Sequence, residues 1–434
     1  MNSQDELRQL VKIKGVGKTM SKSLDSAQLE SCSKLLLDPT THIATKSTFL
    51  VAFIMLKNTQ EEQTWFNDLK ENYKSKIPAD CYFLFDKQIK SNQSELIAII
   101  HRVLNKHDLT KKELKICCDS IIGKSTDSHF KAAILEALRL KEESSIENDY
   151  FLNYFYTRCR HHKINVPILI DLSTAYDGFN RHPNLLLSLA VLLGAIGFPT
   201  ILHGCKDVSP KFGLTINKAL TLAKKNPYHS LIEVQKKLEN TSIRWAYIDQ
   251  HTYFSEFHDL VELRTDLVKR PILATIEKFM QPIIADSTYV VSGYTHPAYR
   301  QKTIKLLQQL PNCTDFLFVR GVEGSALAPI DRRCPTIYST SAQHTLIEGF
   351  SSPDDYSIEK NSSILPNTQL TQTESNSFCM QALTSSSSDS GQWLIYCALM
   401  ILTNLKLIDD PNKTKLKLIS AIDSQKAIAH WNAY

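Results

Sequence analysis

The stretch LIDLSTAYDGFNRHPN, residues 169–184, has the outline of a phosphate-binding turn. An apolar run leads into a short polar loop, and Pro183 opens a long apolar segment. In a parallel α/β domain this is where a phosphate sits on a helix N-terminus. Within the turn Gly178 alone remains to let backbone approach a ligand closely. Three readings stay open: a working anion site, a remodelled one, or a scaffold turned to another use. Metal and disulfide chemistry have less support. The ten cysteines contain no CxxC pair, and Cys117–Cys118 falls inside a helical pattern. They read as reduced core thiols in a cytoplasmic or equivalent reducing compartment.

At 434 residues the chain exceeds one small core, so two or three domains are expected. A composition of 43% hydrophobic and 22% charged residues is that of an ordinary globular protein. The net charge of +5 permits an anionic partner but is far from the density of a dedicated nucleic-acid arm. The opening MNSQDELRQL lacks the layout of a secretory signal. The uncharged run LLLSLAVLLGAIGFPTIL, 185–202, is near the ~18-residue lower limit for a spanning helix. Gly194, Gly197 and Pro199 divide it into a helix and a following strand, so no membrane partner is expected.

The elements that would position the turn follow from periodicity. Residues 1–165 are helical in pattern and contain a repeat: 23–62 resembles 108–144. Leu24, Leu29, Cys32 and Asp38 align with Leu109, Leu114, Cys117 and Gly123. Val51, Leu56 and Lys57 then align with Leu135, Leu140 and Lys141 after a one-residue slip. After the basic cluster RCRHHK (158–163), runs 166–172, 198–204, 287–294, 316–321 and 335–340 have strand length. Helical segments at 183–196, 212–225, 229–239 and 297–310 separate several of them, which predicts a largely parallel sheet flanked by helices. The Ser-, Thr-, Asn- and Gln-rich segment 351–390 reads as a polar loop or linker. A final helical pair follows; its Lys413, Lys415 and Lys417 read as soluble surface.

A helical N-terminal region followed by STAYDG and then LHGCKDVSPKFG (202–213) resembles the anthranilate phosphoribosyltransferase family. In that family a Gly-Thr-Gly-Gly-Asp loop, a Lys-His-Gly-Asn-Arg turn and a Ser-x-x-x-Gly step come in this order. Ser173–Asp177, Leu202–Lys206, and Ser209 with Gly213 take their places. The likeness continues through LVELRTDLVKRPILATIEKFMQP (260–282) and VSGYTHP (291–297) to VRGVEGSALAP (319–329), and covers roughly 97–340. It implies an α/β fold of the phosphoribosyltransferase and nucleoside-phosphorylase type with a helical N-terminal domain. The implied division is 1–96 as an extra helical repeat, 97–165 as the family's helical domain and 166–350 as the α/β domain. The linker 351–390 and C-terminal helices 391–434 follow. The resemblance also implies a homodimer and an interdomain cleft at the ends of strands 166–172 and 198–204.

Of the family's ligand set, the positions that remain are Asp177, Gly178, His203, Gly204, Lys206, Ser209, Lys211, Gly213 and Arg264. The glycines equally suit turns that the fold needs whatever it binds, and His203 suits a strand-end histidine. The departures lie in the loop, where Ser173, Ala175 and Tyr176 replace glycines, and at Cys205, which replaces an asparagine. The metal pair falls at Ala326 and Leu327, leaving Glu323 as a lone acid. Together they argue against the familiar transfer, and neither a catalytic residue nor a metal ligand is assigned. A divergent branch of the family keeps the fold without the phosphoribosyltransferase pattern, and some of its members bind nucleic acid through basic residues. Arg181, Lys206, Lys211, Arg264 and Arg270 would suit phosphate contacts of that kind. Two functions are therefore expected as alternatives. One is a protein binding nucleic acid or a phosphorylated metabolite. The other is an active transferase using phosphoribosyl pyrophosphate, with Asp177 or Glu323 holding Mg²⁺.

Overall fold

The computed structural model describes residues 2–17, 20–89, 91–340, 345–363 and 369–434, and the chain divides into two units. The first joins Met1–Thr157 to Asp259–Ile276; the second joins Arg158–His258 to Glu277–Tyr434.

The first unit is helical: α1 (Ser3–Lys14), α2 (Ser26–Leu37), α3 (Ile43–Met55), α4 (Gln60–Glu71), α5 (Tyr73–Lys76), α6 (Ser94–Leu104), α7 (Lys111–Ile122), α8 (Ser128–Lys141) and α9 (Ser145–Tyr156). The repeat is real and needs no slip. Helices α2 and α7 begin at 26 and 111 and end at 37 and 122, while α4 and α9 begin at 60 and 145 and end at 71 and 156. The offset is the same for both pairs. It also holds for the side chain that ties each copy together. Glu62 closes a capping box with Thr59 and accepts the Leu24 N–H at 3.0 Å; Glu147 does the same with Ser144 and the Leu109 N–H at 3.0 Å. Each carboxylate is buried and each takes a lysine, but from different places: Lys14 of α1 at 2.8 Å and Lys141 of α8 at 2.7 Å. The slipped alignment of Lys57 with Lys141 matched residue types, not positions.

Helices α3 and α8 pack against each other, and apolar residues around both, Phe49 and Phe53 with Ile134 and Leu138 among them, are fully or almost fully buried. The segment 259–276 joins this unit because helix Val261–Leu267 lies on α3 and α8, with Asp266 accepting from Arg8 at 2.9 Å and Gln4 at 3.2 Å. Two expected boundaries are thereby corrected. The division at 96/97 falls inside α6, and 259–276 does not belong with the α/β domain.

The second unit is built on β1 (His162–Lys163), β2 (Ile168–Ser173), β3 (Thr200–Gly204), β4 (Trp245–Asp249), β5 (Ile283–Ile284), β6 (Ser287–Gly293), β7 (Asp315–Val319), β8 (Cys334–Thr340) and β9 (Thr345–Ser351). Among the described residues the main sheet runs β4-β3-β2-β6-β7-β8-β9, while β1 pairs with β5 separately. The order is parallel from β4 to β7 and antiparallel from β7 to β9. Parallel strands covered on both faces are apolar throughout, and Leu169, Ile170, Leu172, Ile201, Leu202, Val290 and Val291 are fully buried. Helix α10 (Leu186–Ala195), the uncharged run of the sequence, is buried along its whole length between sheet and C-terminal helices. No helix among the described residues is long and apolar enough to cross a membrane.

The reading of 351–390 as loop or linker is also corrected, because Gln372–Thr384 is a helix. A Thr371/Glu374 capping box starts it, and its inward face is Ser375, Cys379, Ala382 and Leu383. Small and polar residues can face inward here because they meet backbone. The Ser188 hydroxyl donates to the Cys379 carbonyl at 2.8 Å, and the Asn184 amide N–H donates to Ser375 Oγ at 3.0 Å. Such a stripe carries little apolar periodicity, so composition hides it. Strand β4 escaped for a related reason: five residues between polar flanks give no alternation. Its Trp245 is held by stacking on Trp431 and Tyr434, with centroids at 5.6 and 4.1 Å.

Candidate functional site

Strands β2 and β3 end side by side, and their following loops are stitched together. Gly213 N–H donates to the Asp177 carbonyl at 2.9 Å. Leu214 N–H donates to the Phe179 carbonyl at 2.8 Å, and Phe179 N–H returns a bond to Leu214 at 3.2 Å. Gly178 has φ +76°, and a Cβ on it would stand 2.8 Å from the Gly213 and Leu214 carbonyl carbons. A Cβ on Gly213 would stand 2.5 Å from the Phe179 oxygen. These two glycines are required by one backbone pressing on another. Gly204 has no such constraint, as the nearest neighbour of its Cβ would be a Tyr247 ring atom at 3.7 Å.

Tyr176 turns into the protein. It is 2% exposed, and its hydroxyl meets His203 Nδ1, the Tyr253 hydroxyl at 2.6 Å and the Glu277 carbonyl at 3.0 Å. His203 in turn bonds Asp171 Oδ1 through Nε2 at 3.0 Å, with both side chains fully buried. Burial, with Tyr253 and Glu277 as negative neighbours, pushes the Tyr176 phenol well above its ordinary range, so the hydroxyl stays protonated. His203 is therefore satisfied by side chains rather than by backbone. The loop position where the family carries glycine is occupied by a ring locked from three sides.

The stretch just before α10 does hold an anion, and it is the chain's own. Glu323 lies in the turn Val322–Gly324 with φ 51°, and its side chain is 1% exposed. Its Oε1 accepts the N–H groups of Asn180 at 3.1 Å, Arg181 at 2.8 Å and His182 at 3.1 Å, and lies 3.3 Å from His182 Nδ1. Its Oε2 takes the Lys211 ammonium at 2.7 Å. Burial raises the carboxyl pKa, but the His182 bond, the Lys211 charge and bond, and the Arg181 amide outweigh it and hold the group well below the usual carboxylate range. Successive amides converging on one oxygen form an anion nest. With both oxygens facing N–H donors and an ammonium, this carboxylate does not fit the expected role of Mg²⁺ ligand.

The other expected residues divide. Asp177, Ser209 and Cys205 are buried; Cys205 Sγ lies 3.1 Å from Gln250 Oε1 and 3.7 Å from His258 Nδ1. Lys206 and Arg181 are exposed, and Lys211 is paired with Glu323. Arg264 and Arg270 belong to the first unit, the former buried and the latter exposed. Asn180, His182, Tyr253 and Asp171 were not foreseen. The Asn-Arg-His run before Pro183 was the available signal for the nest, but its partner Glu323 lies more than 140 residues away and no spacing reveals it.

The fold is that of anthranilate phosphoribosyltransferase, and the chain is phosphoribosyltransferase-like in this sense. The enzyme from Saccharomyces cerevisiae in complex with PRPP and Mg superposes with a TM-score of 0.65 at 11% identity, over 79% of this chain and 97% of that one. The enzyme from Thermus thermophilus gives 0.61 at 13% identity, over 77% and 98%. Sequence likeness is strongest outside named enzymes. An uncharacterized protein of Aquifex aeolicus is 29% identical over 234 residues, 54% of this chain and 68% of that protein. The uncharacterized protein YbiB of Escherichia coli is 26% identical over 212 residues, 47% and 62%. The anthranilate phosphoribosyltransferase of Francisella philomiragia is 30% identical over 116 residues, but the match spans only 34% of that enzyme. No protein-family model matches the chain.

Proposed function

We propose that this protein does not perform the usual transfer of phosphoribose to anthranilate, and instead binds an anionic ligand, nucleic acid or a phosphorylated metabolite. The observation that carries the reading is Glu323. The backbone amides before α10, which a phosphate would need, already hold its carboxylate. A pyrophosphate brought there would meet a buried negative charge, a repulsion of several kcal/mol at short range in a desolvated site. Tyr176 supports the same reading, since a ring bonded to three groups replaces a glycine that would leave room for ligand oxygens. The residues present therefore do not fit phosphoribosyl pyrophosphate with Mg²⁺ in the family manner.

The exposed Arg181 and Lys206 are the proposed contacts to the ligand's phosphates in the second unit, with Arg270 exposed in the first. A reducing, cytoplasmic location fits ten cysteines that are all free thiols. A homodimer is proposed from the resemblance alone. Helices α3 and α8 already cover each other within one chain, so its interface would use another face.

The alternative, an active transferase with an altered site, draws on the fold shared with the PRPP-bound yeast enzyme. Calorimetric titration with Mg²⁺–phosphoribosyl pyrophosphate separates the two. Silence at millimolar donor is expected, and micromolar binding would reverse the proposal in favour of the transferase. Oligonucleotide and phosphometabolite titrations then test the positive half. Oligonucleotide affinity is expected to fall linearly with log salt concentration, and an absence of binding to both ligand classes would sink it.

A further inference from the structure

We propose that the amides of Asn180, Arg181 and His182, together with the Lys211 ammonium, form an oxyanion site that Glu323 closes in cis, and that a phosphate-type anion enters once that carboxylate is withdrawn. The inference deepens the proposed function and rests on its reading of Glu323 as a built-in competitor.

Three features of the geometry point this way. First, the donor set exceeds what a carboxylate tether needs. Three consecutive N–H groups converge on Oε1 within 3.1 Å, the His182 ring nitrogen adds a fourth contact at 3.3 Å, and Lys211 takes Oε2 at 2.7 Å. Convergent amides backed by an ammonium are the chemistry that binds phosphate oxygens. Second, the charge is delivered on a strained backbone. Glu323 is a non-glycine residue at φ 51°, ψ 20°, a conformation that costs about 1 kcal/mol for an L-residue. Third, the donors are independently braced. Asn180 Nδ2 bonds the Lys211 carbonyl at 3.1 Å, Lys211 Nζ also reaches the Gly178 carbonyl at 3.2 Å, and Gly178 and Gly213 lock the two loops together. The nest therefore keeps its shape when the carboxylate is removed. A tethered carboxylate acts at a high effective concentration and keeps a free anion out of the intact protein.

The test uses the full chain and inorganic phosphate, without Mg²⁺. Thermal unfolding of wild type, Glu323→Ala and Glu323→Ala/Lys211→Ala is followed against phosphate, with chloride at matched ionic strength as reference. Phosphate is expected to raise the Tm of Glu323→Ala saturably. Half-saturation should lie at least about tenfold below any effect on wild type, and the double variant should lose the response. Equal responses in wild type and Glu323→Ala, or none in either, would overturn the proposal and leave Glu323 as a loop cap. Should Glu323→Ala not fold, Glu323→Gln keeps the shape without the charge and is read by phosphorus NMR line broadening under the same criteria. A silent phosphate titration of the variants bears on the nest alone, whereas silent ligand titrations of wild type bear on the proposed function.

Discussion

Gly213→Ala asks whether the glycines after β2 and β3 serve packing or a ligand. An added Cβ would stand 2.5 Å from the Phe179 carbonyl oxygen and from Asn180 Oδ1, and 2.7 Å from the Phe179 nitrogen. Tolerable carbon–oxygen contact begins at about 3.3 Å, so the loops must part by roughly 0.8 Å. That stretches the Gly213–Asp177, Leu214–Phe179 and Phe179–Leu214 bonds, now 2.9, 2.8 and 3.2 Å, past useful length. At about 1 kcal/mol net for each bond, the second unit should lose about 2–3 kcal/mol. Urea denaturation read by tryptophan fluorescence suits the question, because Trp245, Trp393 and Trp431 lie in that unit and only Trp65 in the other. Gly349→Ala is the control. Its Cβ would meet nothing nearer than Thr336 Oγ1 at 3.6 Å, so the change should stay within about 0.5 kcal/mol. A Gly213→Ala midpoint equal to that of wild type would refute the packing argument and return ligand approach as the reason for the glycine.

Glu323→Gln tests the charge in the nest through pH. Because the folded carboxyl is held below its ordinary value, its ionised form stabilises the fold above about pH 4.3, and this contribution drains as pH falls toward the folded pKa. Wild type should exceed the variant by about 1–3 kcal/mol at pH 7, with the gap closing below about pH 4.3; a constant gap from neutral pH to pH 3 would contradict an ionised Glu323. Tyr176→Phe removes a hydroxyl shared by His203, Tyr253 and the Glu277 carbonyl, and should cost about 1–3 kcal/mol in urea unfolding without admitting phosphoribosyl pyrophosphate, since the ring stays. Glu62→Ala and Glu147→Ala each strand a buried lysine. They should destabilise the helical unit by similar amounts, about 3–5 kcal/mol by circular dichroism melting, and a neutral result at either would break the equivalence of the two copies. Light scattering tests the proposed homodimer: twice the 49.3 kDa chain mass is expected, and a single-chain mass rejects it.

Much of the architecture was written locally. Apolar runs of strand length placed β2, β3, β6, β7 and β8 within two residues or so, because strands buried on both faces must be apolar throughout. Capping boxes and matched leucines exposed the helical repeat, because each copy buries the same face on its partner. The glycine-poor turn was likewise visible as altered: Tyr176 and the lone Gly178 can be read from the chain. Tertiary structure decided what the alteration means. Whether Tyr176 points outward or locks onto His203, Tyr253 and Glu277 depends on contacts up to 101 residues away. Whether the amides at 180–182 await a ligand depends on Glu323, which arrives from beyond β7. Local sequence sets backbone propensity and burial, quantities that sum over neighbours. The occupant of an anion nest is set by which distant charge the fold brings within 3 Å, and no periodicity or spacing along the chain encodes that distance.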